Sequence, residues 1–385
     1  MKKGTEVSDV FATFFSSFLQ KHTISAQQQK TIGAITTCRT SVQGGHVEAC
    51  DNCGVIRISY NSCRNRHCPK CGGMKKEEWV EARQSELLPV HYYHMVFTIP
   101  HELNAWMMYN EQQLYNLLFE SAWQTVAAFG QDPKYLGAMP AMIAILHTWG
   151  QQLSYHPHLH CIVAGGGITG GQNWRTPKRA SGKLLFPVKA MSKVFRGKFL
   201  SKLSECIGSL NNRALQTPPD AMALPSIIKS LHRKDWVVYA KQPFGGPAQV
   251  VEYVGRYTHK VAISNQRLIG IENGQVHFKY TDYRHGNATK QMSVSGEEFI
   301  RRWLQHILPF RFVKIRHYGF LSNRDKKKKL QLIAQQIDHI LMPPVLALDY
   351  KQRLRLMMGL DLDLCPHCKD GRMITVKTWE RGRSP

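Results

Sequence analysis

The feature that most limits how this chain can fold is a cysteine window near its N-terminus. Six of its ten cysteines lie between Cys38 and Cys71, and Cys50-x2-Cys53 and Cys68-x2-Cys71 form two knuckles separated by fourteen residues. Thiolates in paired knuckles close a tetrahedral zinc site, and this separation is one residue short of the usual range. Paired knuckles rarely arise from packing alone, so zinc is preferred here over reduced structural cysteines. The spacing predicts that Cys50, Cys53, Cys68 and Cys71 share one zinc ion. Cys38, His46, Cys63 and His67 are enough to complete a second. Far downstream, Cys365-Pro366-His367-Cys368 is a lone knuckle with three donors and no second pair nearby. Cysteines used this way fit a reducing compartment better than a disulfide framework.

Charge narrows the class of partner. Fifty-one Lys and Arg against 27 Asp and Glu leave a formal charge of +24 on 385 residues. Such an excess favours polyanions, because bound phosphates release their counterions. An anionic membrane would meet the same requirement. However, no apolar stretch approaches the roughly 20 residues that span a bilayer, and Met1-Lys2-Lys3 is not followed by an unbroken signal-peptide core. The expectation is a cytoplasmic protein that binds nucleic acid and has no membrane partner. An apolar content of 43% with 20% charged residues is ordinary for a globular chain.

Candidate chemistry begins at Tyr155-His156-Pro157-His158-Leu159-His160-Cys161-Ile162-Val163-Ala164, followed by Gly165-Gly166-Gly167. Side chains alternate along a strand, so His158 and His160 share a face and could hold one divalent metal ion. The glycines would let the backbone turn away. A hydrogen-bonded polar rim is the competing reading. A second stretch, Gln249 to Lys260, has helical spacing of Val250, Tyr253, Val254 and Tyr257, which puts Tyr253 and Tyr257 one turn apart on one face. Alone, that pair would read as an aromatic core stripe.

Together, the His-x-His strand and the tyrosine pair resemble the HUH-superfamily nucleases. The strings Tyr253-Val254-Gly255-Arg256-Tyr257-Thr258-His259-Lys260-Val261-Ala262-Ile263-Ser264-Asn265, His156 to Cys161, and Arg316-His317-Tyr318-Gly319-Phe320-Leu321 look like the two-tyrosine rolling-circle transposases of bacterial insertion sequences. The resemblance covers nearly the whole chain, cysteine window included. It implies Tyr253 and Tyr257 as catalytic nucleophiles and Mg²⁺ or Mn²⁺ at His158 and His160, with structural Zn²⁺ in the cysteine module. It further implies nicking and rejoining of single-stranded DNA at element ends and in target DNA, through a 5′-phosphotyrosine and a free 3′-hydroxyl. Action at the nucleoid follows, with host replication or helicase factors as candidate partners; oligomeric state is left open.

The chemistry is consistent with that reading. Cleaving a phosphodiester requires charge neutralisation at the phosphate and an aligned nucleophile. A phenol of pKa near 10 must lose its proton as it attacks. Two histidines are too few for a divalent site, and His156, Glu252 and His259 are the candidates for a third ligand. Two other readings remain: a non-catalytic zinc-dependent DNA-binding protein, and a metal-dependent hydrolase that uses water.

Along the chain, residues 8–20 read as an amphipathic helix. Residues 91–100 read as a strand, and a helix carrying Leu114, Leu117, Leu118 and Val126 runs to about Gly130. Ala141–Trp149 forms an antiparallel hairpin with the histidine strand. A basic helix (190–211), a Pro-rich break (218–225), a strand (235–241) and the tyrosine helix follow. The next segments are a hairpin about Asn273-Gly274, a helix at 297–308, and a lysine run that opens a last helix reaching Leu341. The expected fold class is α+β, an HUH-type nuclease core with a central antiparallel sheet flanked by helices and a small N-terminal zinc module. The expected division is 1–85 for the N-terminal helix and zinc module, 86–322 for the catalytic domain, and 323–385 for a basic helical C-terminal region. Arg57, Arg64, Arg66, Lys70, Lys75 and Lys76 make the zinc module a candidate reader of DNA ends.

Overall fold

The computed structural model describes residues 4–177, 185–211, 224–241, 246–256, 258–259, 262–283, 285–341 and 348–382. The chain opens with α1 (Val7–Lys21) and α2 (Ala26–Thr36), where Ser25 caps α2 by accepting from the Gln28 amide. A hairpin of β1 (Gly45–Cys50) and β2 (Ile56–Tyr60) leads to α3 (Gly72–Gln84). Next come β3 (Tyr92–Thr98), α4 (Asn104–Tyr109) and α5 (Glu111–Gln131), then β4 (Met139–Trp149), β5 (Tyr155–Ile168) and the short β6 (Trp174–Arg175). The chain continues through α6 (Val188–Cys206), α7 (Leu224–Leu231), β7 (Val238–Lys241) and α8 (Pro247–Gly255). After a meander of β8 (Leu268–Glu272), β9 (Gln275–Asp282) and β10 (Ala288–Ser295) come α9 (Gly296–Leu304), β11 (Ile315–Tyr318), α10 (Lys326–Gln336), α11 (Tyr350–Met358) and β12 (Met373–Trp379). Among the described residues, no helix is long and apolar enough to cross a membrane.

The central sheet runs β11-β4-β5-β3-β7 with β6 on β5, and every pairing is antiparallel. Alternation along the strands splits it into two apolar faces. Met95, Phe97, Leu146, Leu159, Cys161 and Val163 pack under α5 and α6. Ile143, Ile145, Ile162 and Ala164 face α8 and α10. The α+β class with helices over an antiparallel sheet is therefore as expected. The three glycines behave differently from the reading of the sequence, because β5 continues through them to Ile168. A Cβ at Gly166 would lie 2.1 Å from the Trp174 ring, so the glycine makes room for packing instead of turning the chain.

The division at residues 85 and 322 does not separate packed units. Val10, Phe11 and Phe18 of α1 share a core with Phe299, Ile300 and Trp303 of α9. At the other end, β12 pairs with β1, so the C-terminal strand completes the sheet β12-β1-β2 of the N-terminal module. Trp303 is fully buried and meets Phe11 edge-on, with ring centroids 4.9 Å apart. Trp303→Ala is expected to lower stability by about 3–5 kcal/mol, the usual cost of deleting a buried aromatic. A chemical-denaturation curve checks this, and an unchanged midpoint would contradict the seam between α1 and α9.

Candidate active site and cysteine clusters

Hairpin pairing places His147 of β4 opposite His158 of β5, just before a register shift, with His160 facing Ile145. The side chains of His147, His158 and His160 converge, with one ring nitrogen from each within 4.8 Å of the others. His147 Nδ1 lies 3.1 Å from His158 Nε2, which in turn lies 3.1 Å from His160 Nε2. The second nitrogens of His158 and His160 are engaged elsewhere. His158 Nδ1 donates to the His156 carbonyl at 2.6 Å, and His160 Nδ1 meets His94 Nε2 at 2.9 Å. The first bond leaves His158 Nε2 bare and turned toward the nitrogens of His147 and His160.

Burial, then the neighbouring histidine His156, pushes His158 down to about 3. Burial and adjacent imidazoles hold His147 and His160 well below the ordinary histidine value. At neutral pH the three rings are therefore uncharged. Three uncharged imidazoles that present a nitrogen each to a common point are a donor set that fits a divalent ion. The third ring is His147, which corrects the expectation for His156: that side chain is exposed and outside the group, its ring beside that of His158 with centroids 4.9 Å apart and its carbonyl accepting from His158 Nδ1. Glu252 and His259 are also outside it.

The tyrosine helix docks on the same face. Pro247 starts α8, and Val250, Val251 and Val254 bury against the sheet. Tyr253 then reaches the histidines: its ring centroid lies 5.3 Å from that of His94, which bonds His160. Lys241 Nζ and Arg256 Cζ lie 5.1 and 5.7 Å from the Tyr253 ring centroid. The helix ends at Gly255 instead of running on through both tyrosines, and Tyr257 falls outside the described residues. Close packing of α3 requires glycine at two points, since a Cβ at Gly255 would lie 2.5 Å from Val80 Cγ2 and one at Gly72 would lie 2.3 Å from the His259 carbonyl oxygen.

Lys314 was not singled out from the sequence. Burial, then the Arg66 charge, lowers its ammonium to about 7. Its charge also helps to depress His147, His160 and His259. Nζ lies 5.2 Å from the Trp149 ring centroid, and the Lys314 carbonyl accepts from the Leu146 amide at 3.0 Å. The zinc module grips the preceding loop: Arg66 donates to the carbonyls of Phe312 and Pro309 at 2.6 and 2.7 Å, and the Leu308 amide donates to His67 Nε2 at 3.1 Å.

The cysteines form two groups, and the pairing differs from the spacing-based expectation. Cys68 and Cys71 join Cys38 and Cys63, whereas Cys50 and Cys53 join Cys365 and Cys368. All four sulfurs in each group lie within 4.8 Å of one another. His46 sits apart on β1, 3.7 Å from Glu48 Oε2. His67 is buried and neutral, pushed down to about 3 by desolvation, and holds Leu308. Several of the expected DNA-facing cations are used internally: Arg57 pairs with Glu48, Arg66 bonds carbonyls and Lys70 pairs with Glu6, which leaves Arg64 and Lys75 exposed.

The chain is similar to known proteins. Residues 141–329 match the family described as Putative transposase, and residues 10–99 match the Transposase zinc-binding domain. Putative transposase y4qJ of Sinorhizobium fredii (strain NBRC 101917 / NGR234) is 42% identical over 395 residues, covering 100% of this chain and 98% of its own. The transposase for insertion sequence element IS801 of Pseudomonas savastanoi pv. phaseolicola is 27% identical over 347 residues, covering 88% of this chain and 81% of its own. A conjugative relaxase, TrwC, in complex with oriT DNA overlaps 66% of this chain and 95% of its own at 7% identity, but its TM-score of 0.25 adds no weight. The class defined here is a transposase with an N-terminal zinc-binding domain. The chain belongs to the insertion-sequence transposase family that includes the Sinorhizobium fredii protein, in agreement with the resemblance read from the sequence.

Proposed function

We propose that this transposase nicks and rejoins single-stranded DNA at insertion-sequence ends, with Tyr253 attacking a phosphodiester placed over His147, His158 and His160. One observation carries the reading: Tyr253 stands against His94, and through it against His160, on the sheet face where the three imidazoles converge. A Mg²⁺ or Mn²⁺ ion held by His147, His158 and His160 would neutralise charge on the scissile phosphate. His156 and His94 orient two of those rings. The Tyr253 oxygen gives up its proton and bonds to phosphorus, the P–O3′ bond breaks and the 3′ oxygen takes up a proton, and the strand's 5′ end stays on the protein as a phosphotyrosine. The linkage keeps the phosphodiester energy, so attack by a 3′-hydroxyl reverses the step and rejoins strands without ATP. Tyr257, four residues on in sequence, is the family-implied second nucleophile for a second strand. A strand-transfer site of this kind must admit one backbone, hence the single-stranded substrate. Host replication or helicase factors would supply it.

Lys314, half-buried and with its ammonium lowered to about 7, supports the same step as a cation beside the histidines in its protonated form. Lys314→Ala is expected to slow single-turnover cleavage by roughly 10²-fold, the usual cost of losing one charge-stabilising donor, with Lys314→Arg recovering part of it and Mn²⁺ binding retained. Undiminished cleavage by Lys314→Ala would remove the residue from the site. The reaction itself is tested by incubating the chain and Mn²⁺ with 5′-labelled single-stranded or duplex oligonucleotides from the flanks of its gene. Cleavage of the single strand to a product with a 3′-hydroxyl end is expected. Cleavage confined to the duplex, or a 3′-phosphate end, would defeat the proposal.

A further inference from the structure

The reaction above uses neither the Cys50-x2-Cys53 knuckle nor the C-terminal Cys365-x2-Cys368 knuckle. We propose that these four cysteines hold one structural zinc ion that latches the C-terminal strand onto the N-terminal module, separate from an ion held by Cys38, Cys63, Cys68 and Cys71.

The geometry is that of a thiolate site. Cys50 and Cys368 sulfurs are 3.6 Å apart, and those of Cys53 and Cys365 are 3.7 Å apart. Four sulfurs at about 2.3 Å from a tetrahedral zinc lie about 3.8 Å from one another. A disulfide would need about 2.05 Å. Both knuckles aim amides at sulfur, as thiolates require: Asn52 and Cys53 N–H groups donate to Cys50 Sγ at 3.4 Å, and the Gly371 N–H donates to Cys368 Sγ at 3.3 Å. Gly371 also fits the site sterically, since a Cβ there would lie 2.4 Å from Cys50 Sγ. Thiolate donors select zinc over the oxygen-seeking Mg²⁺ or Mn²⁺.

The surroundings need such a staple. Only Cys50, Cys365 and Met373 are buried in this cluster, with Val55 and Cys368 packed against it. The strands meeting there leave Ile56, Ile58, Tyr60, Ile374 and Val376 exposed. Besides Met373, Trp379 is the buried apolar side chain of the terminal strand, and small modules with so few of them depend on a metal or a disulfide. Here the latch joins residues 50 and 368, and a clip closing so long a loop removes much unfolded-state freedom. It also holds α11 in place, where Arg353 sits between Glu78 and Glu81 of α3. The proposal is independent of the strand-transfer chemistry.

The test is zinc per full-length chain, measured by elemental mass spectrometry on dialysed protein. Cys365→Ser/Cys368→Ser and Cys50→Ser should each lose one equivalent, and combining them should lose no more. Cys68→Ser should lose a different equivalent, so adding it to the C-terminal pair removes two. Gly371→Ala should weaken retention of the first equivalent alone, and Cys368→His, which keeps a zinc donor, should retain it. Unchanged zinc in the C-terminal double variant would overturn the latch. So would loss of one and the same ion by Cys50→Ser and Cys68→Ser. Loss of both equivalents from the C-terminal double variant would overturn it too, because the site would then be no separate unit.

Discussion

His158→Ala cleaves no detectable single-stranded DNA under conditions where the parent chain cuts it, a loss on the order of 10²–10³-fold or more. His158 Nε2 is the middle member of the group, 3.1 Å from both His147 Nδ1 and His160 Nε2. Without it, two nitrogens remain and the phosphate loses its charge partner. The same loss is expected for His147→Ala and His160→Ala. His156→Ala is the informative contrast: its ring lies beside His158 without joining the three nitrogens, and the carbonyl that accepts from His158 Nδ1 is backbone and survives the substitution. That variant should keep most of its activity. His94→Ala should fall between, at roughly 10–100-fold, because it orients His160 without joining the group. Cleavage rates with DNA binding measured in parallel decide the matter. If His156→Ala lost more than His147→Ala, the ligand assignment would fail; equal loss of binding and cleavage in all variants would indicate a folding role.

Tyr253→Phe is expected to abolish covalent attachment of the 5′ end while leaving strand binding near the parent level. Phenylalanine keeps the ring that packs beside His94 and under Lys241 and Arg256, and removes only the nucleophilic oxygen. The comparison therefore separates chemistry from packing. Persistence of the adduct at full rate in Tyr253→Phe would transfer the first nucleophilic role to another residue, with Tyr257→Phe as the next variant in the series.

Local pattern made much of this site legible. Strand alternation alone put His158 and His160 on one face, and Asn273 and Gly274, both at positive φ, form the turn that their sequence predicts. His147 was within reach as well. The hairpin of Ala141–Trp149 with the histidine strand was expected, and counting back through its short connection points to the third histidine. A register shift between His147 and Trp149 makes the count inexact, so spacing could not choose. The cysteines failed for a different reason. Neighbouring knuckles in sequence suggest one site, but which pairs meet depends on β12 returning to β1 across more than three hundred residues, and no local signal encodes that return. Lys314 is a similar case, since its place depends on Arg66 and His67 holding a loop more than two hundred residues away. Where the tyrosine helix stops was also hidden: Val250, Tyr253, Val254 and Tyr257 keep helical spacing, yet the described helix ends at Gly255.

The most direct test of the account is to trap the reaction on a labelled single strand with Mn²⁺, digest the protein, and locate the nucleotide-bearing peptide by mass spectrometry. The account predicts a phosphotyrosyl adduct on Tyr253, absent from His147→Ala and from Tyr253→Phe. Efficient cleavage with no adduct on any tyrosine would contradict it and leave a hydrolase that activates water at the same three histidines.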